Sequence, residues 1–215
     1  MSVRVLPQAL LVLTLCAFGL SACSGEDDVA LSYRQDLSEI LTDADGIVRY
    51  LVRDDGDTLA ITNGALRAPM TADTAYRVRA LYVLDDGGAE VYTLTQVFSP
   101  NPVQMSEGAM RRDPLQLEAL WRGGAYVNFL VTYKSGGVTH AAAFVDRGIA
   151  ACSDGSRLLR LELYHDSNDD PDYYTQQLYM SCPLYRYAGQ LTPGRDSIEV
   201  TLTTYDGTAV HRLPY

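Results

Sequence analysis

The sequence is poor in the groups on which most hydrolases and transferases are built. It has three histidines, His140, His165 and His211, and none stands in an H-E-x-x-H helix. No G-x-S-x-G elbow, P-loop or G-x-G-x-x-G turn occurs. Basic side chains are in deficit, 17 against 27 acidic ones, for a net charge of −10. Such a chain draws neither nucleic-acid phosphates nor an anionic lipid surface. No segment beyond the N-terminal leader keeps a sustained 3.6-residue apolar stripe, so helix is limited to one or two turns near Glu107 to Asp113. The longest apolar run, Ala9 to Leu20, is too short to span a bilayer.

That run has a different use. Arg4 precedes it, Ser21 and Ala22 follow it, and Cys23 comes next, the order of a cleavable secretory leader over residues 1–22. Leu20-Ser21-Ala22-Cys23 resembles a lipobox, in which the cysteine takes the lipid and becomes the new N-terminus. The expected anchor is the membrane, held through the covalent lipid on Cys23, with each buried methylene contributing about 0.8 kcal/mol. Loss of Arg4 with the leader takes the net charge from −10 to −11. Of the four cysteines, Cys16 falls in the leader and Cys23 takes the lipid. Cys152 and Cys182 remain, in a chain bound for an oxidising compartment, and a disulfide between them is expected; two unpaired thiols are the alternative. The closed loop would contribute roughly 3–4 kcal/mol in the chain-entropy account.

Residues 23–32 open on Ser24-Gly25-Glu26-Asp27-Asp28 and read as an acidic tether. From Tyr33 onward the pattern is all-β. Short β-rich runs are punctuated by Asp55-Gly56, Asp86-Gly87-Gly88, Gly123-Gly124, Ser135-Gly136-Gly137 and Asp206-Gly207. Ser99-Pro100-Asn101-Pro102 reads as a stiff boundary, because two prolines in four residues do not fit a central strand. Before it lie strand candidates at 36–42, 47–53, 58–62, 75–84 and 89–98. They suit an OB-like five-stranded barrel over 33–99. After it lie candidates at 114–121, 125–134, 137–145, 157–165, 173–182, 196–204 and 207–213, which suit an antiparallel β-sandwich over 103–215.

Few residues point to chemistry. His165 continues the apolar phase of Leu159, Leu161 and Leu163 into an acidic turn, where a strand-end histidine bonded to a turn carboxylate is the plain reading. Asp166, Asn168, Asp170 and Asp172 alternate like the first half of an EF-hand, but Pro171 and Gln177 stand where that loop needs glycine and glutamate. An Asx-rich turn accounts for them better. Tyr173, Tyr174, Tyr179, Tyr185 and Tyr187 cluster in sequence. Such rings can stack on sugars or anchor an interface, though tyrosine is also simply favoured in strands.

Four segments together resemble the NigD-like lipoproteins of Bacteroidetes: Tyr50 to Leu59, Trp121 to Asn128, Leu161 to Asp170, and Val200 to Gly207. The resemblance implies an N-terminal OB-like domain and a C-terminal β-sandwich. Glu26, Asp27 and Asp28 after Cys23 resemble the signal that exports such lipoproteins to the outer face of the outer membrane. The family was named from a bacteriocin gene cluster and has no agreed activity, so no catalytic residue carries over. The expectation is a non-enzymatic, surface-exposed outer-membrane lipoprotein without metal or cofactor. It would bind a glycan, a peptide or an envelope protein. The alternative is an accessory factor in bacteriocin or peptide export.

Overall fold

The computed structural model describes residues 32–64, 66–67 and 70–215. The leader, Cys23 and the tether as far as Leu31 lie outside the described residues.

Six strands form the first sheet: β1 (Tyr33–Thr42), β2 (Ile47–Arg53), β3 (Thr58–Ile61), β4 (Leu66–Arg67), β5 (Ala75–Asp85) and β6 (Gly88–Gln96). Five of them close on themselves. β1, β2 and β3 meander, β3 runs parallel to β6, β6 pairs with β5, and β5 returns to β1. This is the OB-like barrel. The closing parallel contact sets Gly88 against Ala60, where a Cβ would lie 2.2 Å from the Ala60 carbonyl oxygen. Alternation fills the inside: Val78, Ala80 and Tyr82 on β5 meet Ile40, Val48, Leu51 and Val91. The two-residue β4 on the edge of β2 has no signal in the sequence.

The sandwich holds the seven expected strands: β7 (Gln116–Gly123), β8 (Tyr126–Ser135), β9 (Ala141–Ala151), β10 (Arg157–Asp166), β11 (Tyr174–Pro183), β12 (Ser197–Thr204) and β13 (Gly207–Pro214). They form a three-stranded sheet, β11-β8-β7, facing a four-stranded one, β13-β12-β10-β9. One pairing departs from the expected antiparallel pattern: β10 and β12 run parallel. After β10 the chain crosses to the opposite sheet as β11 and comes back beside β10 in its original direction. A single 3-10 turn, Glu107–Ala109, is the helix of the 107–113 stretch.

The three-stranded sheet has no free face at the start of β8 and the end of β11. Val127, Phe129 and Val131 of β8 point into the sandwich core. Their neighbours Tyr126 and Asn128 point the other way, against the barrel, and are buried too. This explains four successive buried residues at the start of β8. The contact centres on Arg77 of β5, whose side chain is 1% exposed. Its guanidinium donates to both oxygens of Asp54 at 2.6 and 2.7 Å and to Asn128 Oδ1 at 3.2 Å, and Nε reaches Ser181 Oγ at 3.3 Å. It also lies 4.1 Å from the centre of the Tyr126 ring. The β2–β3 hairpin that carries Asp54 comes so close to the sandwich that a Cβ at Gly123 would sit 2.1 Å from Asp54 Oδ2.

Residues 97–103, which include the boundary expected at residues 99–102, form a strap bonded to both sheets of the sandwich. Ser181 N–H donates to Phe98 O at 2.9 Å and Ser99 Oγ to Ser181 O at 2.7 Å. Val103 exchanges backbone bonds with Phe144 and Asp146 on β9, and Arg186 donates to Pro102 O at 2.7 Å. Prolines suit such a crossing segment, because it needs few of its own N–H groups as donors.

The expected disulfide is corrected: Cys152 and Cys182 are free thiols. Cys182 fills the sandwich core beside Phe129 and Tyr187, where burial pushes its thiol up and the Asp146 carboxylate adds to the effect. Cys152 lies six residues beyond Asp146, past the end of β9. There its N–H donates to Ser156 O at 2.8 Å within a turn.

Arg77→Ala removes one partner of a buried ion pair and should lower stability by about 3–5 kcal/mol in urea denaturation, with Arg77→Lys in between. A change below about 1 kcal/mol would mean that the contact between barrel and sandwich rests on something else. For the cysteines, alkylation of the native protein should label half-buried Cys152 and spare Cys182 until the chain is unfolded. Mass spectrometry that finds no free thiol even after unfolding would restore the disulfide.

Candidate functional site

β9 and β11 are the edge strands on one side of the sandwich, since the opposite edges, β7 and β13, touch each other. The strap spans the gap between them, from Met180 on β11 to Val145 on β9. Beside the strap lies a cavity of about 320 Å³. Phe98, Leu115, Val131, Leu178 and Met180 make it apolar, Ala142 on β9 leaves it room, and residues 137–139 cover one end. Volume and lining fall in the usual range for a small-molecule or side-chain pocket.

Its polar rim is built from distant parts of the chain. His165 stands at the end of β10, where residues 111–113 replace β12 as backbone partner through His165 N–H to Arg111 O and Asp113 N–H to His165 O. His165 Nδ1 meets the Asp113 carbonyl at 2.9 Å, and its Nε2 meets His140 Nδ1 at 2.9 Å. His140 Nε2 lies 3.1 Å from Asp170 Oδ2. Carbonyl and carboxylate only accept, so His165 carries its proton on Nδ1 and His140 on Nε2, and the contact between the two rings becomes a hydrogen bond only when a third proton lies between them. Burial pulls the His165 imidazole below its ordinary value, the Asp113 carbonyl opposes this, and His140 adds to the fall.

Asp170 is the anchor. Burial alone would raise its carboxyl, but the N–H groups of Val138 and Gly136, the Ser135 hydroxyl and His140 hold it well below the carboxylate range. The EF-hand-like alternation therefore ends with a carboxylate turned inward onto protein donors. Asp166 instead accepts from Asn168 N–H as an Asx turn, with Asn168 and Asp169 at φ of 54° and 57°. The rest of the rim is paired as well: Tyr133 donates to Gln176, and Gln176 to Tyr174. Each ring nitrogen of His140 and His165 faces a partner within the protein. Ser135 donates to Asp170 rather than to a histidine, so no nucleophile–base contact is formed here.

Of the residues singled out in the sequence, His165 and Asp170 are joined here through His140, so the turn carboxylate expected on His165 is bonded to His140 instead, whereas His211 is exposed on β13. The tyrosines scatter. Tyr173 is 79% exposed, Tyr174 accepts from Gln176 beside the cavity, Tyr179 lies under Arg79, Tyr185 donates to Glu39 at the barrel, and Tyr187 is core. A second cleft, between barrel and sandwich, is lined by Glu39, Arg77, Tyr126 and Tyr185, and these polar groups are bonded to the contact around Arg77. Asp113 carried no signal, because its carbonyl rather than its side chain reaches His165.

His165 and Asp170 give stability the same sign of pH dependence. Neutral His165 contributes fully above about 6.5 and loses its contribution as pH falls through its lowered value. Ionised Asp170 contributes fully above 3.8 and loses its contribution as pH falls below that. Asp170→Asn should flatten the acid limb of a stability–pH curve and speed hydrogen exchange at the amides of Gly136 and Val138. Unchanged exchange there would show that the carboxylate does not hold the loop.

The model of the NigD-like C-terminal beta sandwich domain matches residues 98–214, the part that holds this cavity. No curated protein matches the chain. Among solved structures, the chain is similar to a NigD-like immunity protein from Bacteroides caccae, at 25% identity and a TM-score of 0.67, over 84% of this chain and 91% of that one. It shares its fold with a protein of unknown function from Bacteroides vulgatus, at 16% identity and a TM-score of 0.67, over 86% and 91% of the two chains. It shares it also with a candidate lipoprotein from Bacteroides fragilis, at 13% identity and a TM-score of 0.54, over 85% and 97%. With more than half of its length matched by the family model, the chain belongs to the NigD-like family.

Proposed function

We propose that this is a non-enzymatic binding module of the cell envelope, anchored in the outer membrane by lipid on Cys23 and exposed on the cell surface. The observation that carries the binding role is the apolar cavity between β9 and β11, whose polar rim is spent on internal hydrogen bonds. A rim of that kind shapes a site and leaves no ring nitrogen poised to move a proton. The lipobox-like run before Cys23 and the acidic residues after it support the address. The name of the Bacteroides caccae relative, an immunity protein, favours a second reading in which the bound partner is a toxin and the chain protects its own cell. Glycan arrays and peptide libraries probed with the mature Cys23→Ala protein test the binding role. Turnover of a glycoside or peptide that is lost in His165→Ala would overturn it.

The address has its own test. Cys23→Ala should abolish lipid labelling and release the protein from membranes. Replacing Glu26, Asp27 and Asp28 by Ala should leave it lipidated but shielded from protease added outside intact cells. Equal protease access for the triple variant would refute surface export through these residues.

A further inference from the structure

We infer that the cavity is the side-chain pocket of a strand-addition site. The free edge of β11 takes an extended peptide, and one apolar side chain of that peptide enters the cavity. This deepens the binding-module reading and rests on it.

The strap shows the mode of docking within the chain itself. Phe98 pairs with Met180 in parallel register and accepts from Ser181 N–H, while its side chain lines the cavity, 6.5 Å from Phe144 between ring centres. Because Ser181 points its N–H outward, the alternation of a strand turns the N–H and C=O groups of Tyr179, Gln177 and Thr175 to the same side. Among the described residues no strand pairs with that stretch of edge. The intervening side chains of Gln176 and Leu178 line the cavity. An added strand would therefore find backbone partners and a pocket side by side, the two elements of recognition by β-augmentation.

The hydrogen-bond inventory selects the side chain. Tyr133, Ser135, His140, His165 and Gln176 all have polar partners inside the protein. A polar group entering the cavity would give up water without replacing it, whereas an aromatic or branched aliphatic group buries apolar surface on Val131, Leu178 and Met180. Charge selects one flank. The turn over residues 166–172 holds Asp166, Asp169, Asp170 and Asp172, and Asn168 ties it to the covering loop by a bond to Thr139 O. Asp170 is committed to His140 and Asp166 lies 4.0 Å from Arg111, which leaves Asp169 and Asp172 exposed on that turn. The partner is an extended segment with an apolar residue for the cavity and one basic residue toward Asp169 and Asp172, since Lys134 at Thr175 and Arg79 over Tyr179 already make the rest of the edge basic.

The probes are the capped peptide Lys-Val-Phe-Val-Lys, the same peptide with Ser for Phe, a malto-oligosaccharide, and free indole, titrated into labelled mature Cys23→Ala protein by NMR. The Phe peptide should shift the amides of Thr175, Gln177 and Tyr179 together with the side chains of Val131, Leu178 and Met180. The Ser peptide and the sugar should not. Ala142→Phe, which fills the cavity from β9, should abolish binding of both peptide and indole. Gln177→Pro removes an outward N–H from an edge strand, where proline is tolerated. It should weaken the peptide by about tenfold, a hydrogen bond's worth, and leave indole unchanged. Should Gln177→Pro fail to fold, the amide shifts of the parent protein decide the point. Indole entering a cavity that no peptide reaches overturns strand addition alone. If neither binds, the cavity has no binding role, and the proposed function falls with it.

Discussion

One guanidinium holds the two halves of this protein in register. Arg77 belongs to the barrel, yet two of its partners, Asn128 and Ser181, and the ring it stacks on, Tyr126, belong to the sandwich. A charge with so little water around it is tolerable only because Asp54 meets it with both carboxylate oxygens. That demand propagates. Asp54 must be brought in by its hairpin, and Gly123 must stay small to admit it. Ser181, held through its side chain by Asn128, receives Phe98 and Ser99 on its backbone. The strap is thereby placed, and with it one wall of the cavity in the sandwich.

Much of this architecture was legible in the chain, and the reasons are local. Alternation such as Leu159, Leu161 and Leu163 against Arg160 and Glu162 fixes a strand and its buried face within a few residues, and turn glycines mark its ends. All twelve strands expected from such patterns are present, most within a few residues of their expected ends. Two of the segments that carry the family resemblance, around Asp54 and around Gly123, meet at Arg77. A third carries His165 and Asp170. Their spacing had a structural cause that the residues alone did not disclose.

What escaped the sequence depends on distances between strands. Nothing local separates Arg77 from Arg79 two residues on, yet one is buried in an ion pair and the other lies over the Tyr179 ring. His140 and His165 are 25 residues apart and meet only because their strands pair across the β9–β10 hairpin. The parallel β10–β12 contact follows from a crossover that no hydrophobic period encodes. The disulfide failed for the same reason. An oxidising compartment and an even count of cysteines say nothing of where two sulfurs come to lie, and here one is in the sandwich core and the other in the turn after β9.

The start of β8 is closed in on both sides, by Phe144 of the facing sheet through Phe129, and by Arg77 through Asn128. An ordinary surface sheet has one face on which mutation is cheap. This stretch has none, since changing an inward residue opens the core and changing an outward one strands a charge. Sequence drift should therefore be slowest along residues 126–131 and fastest along β13, most of whose residues face solvent. Homologues that diverge beyond recognition elsewhere should still be traceable through that one short strand.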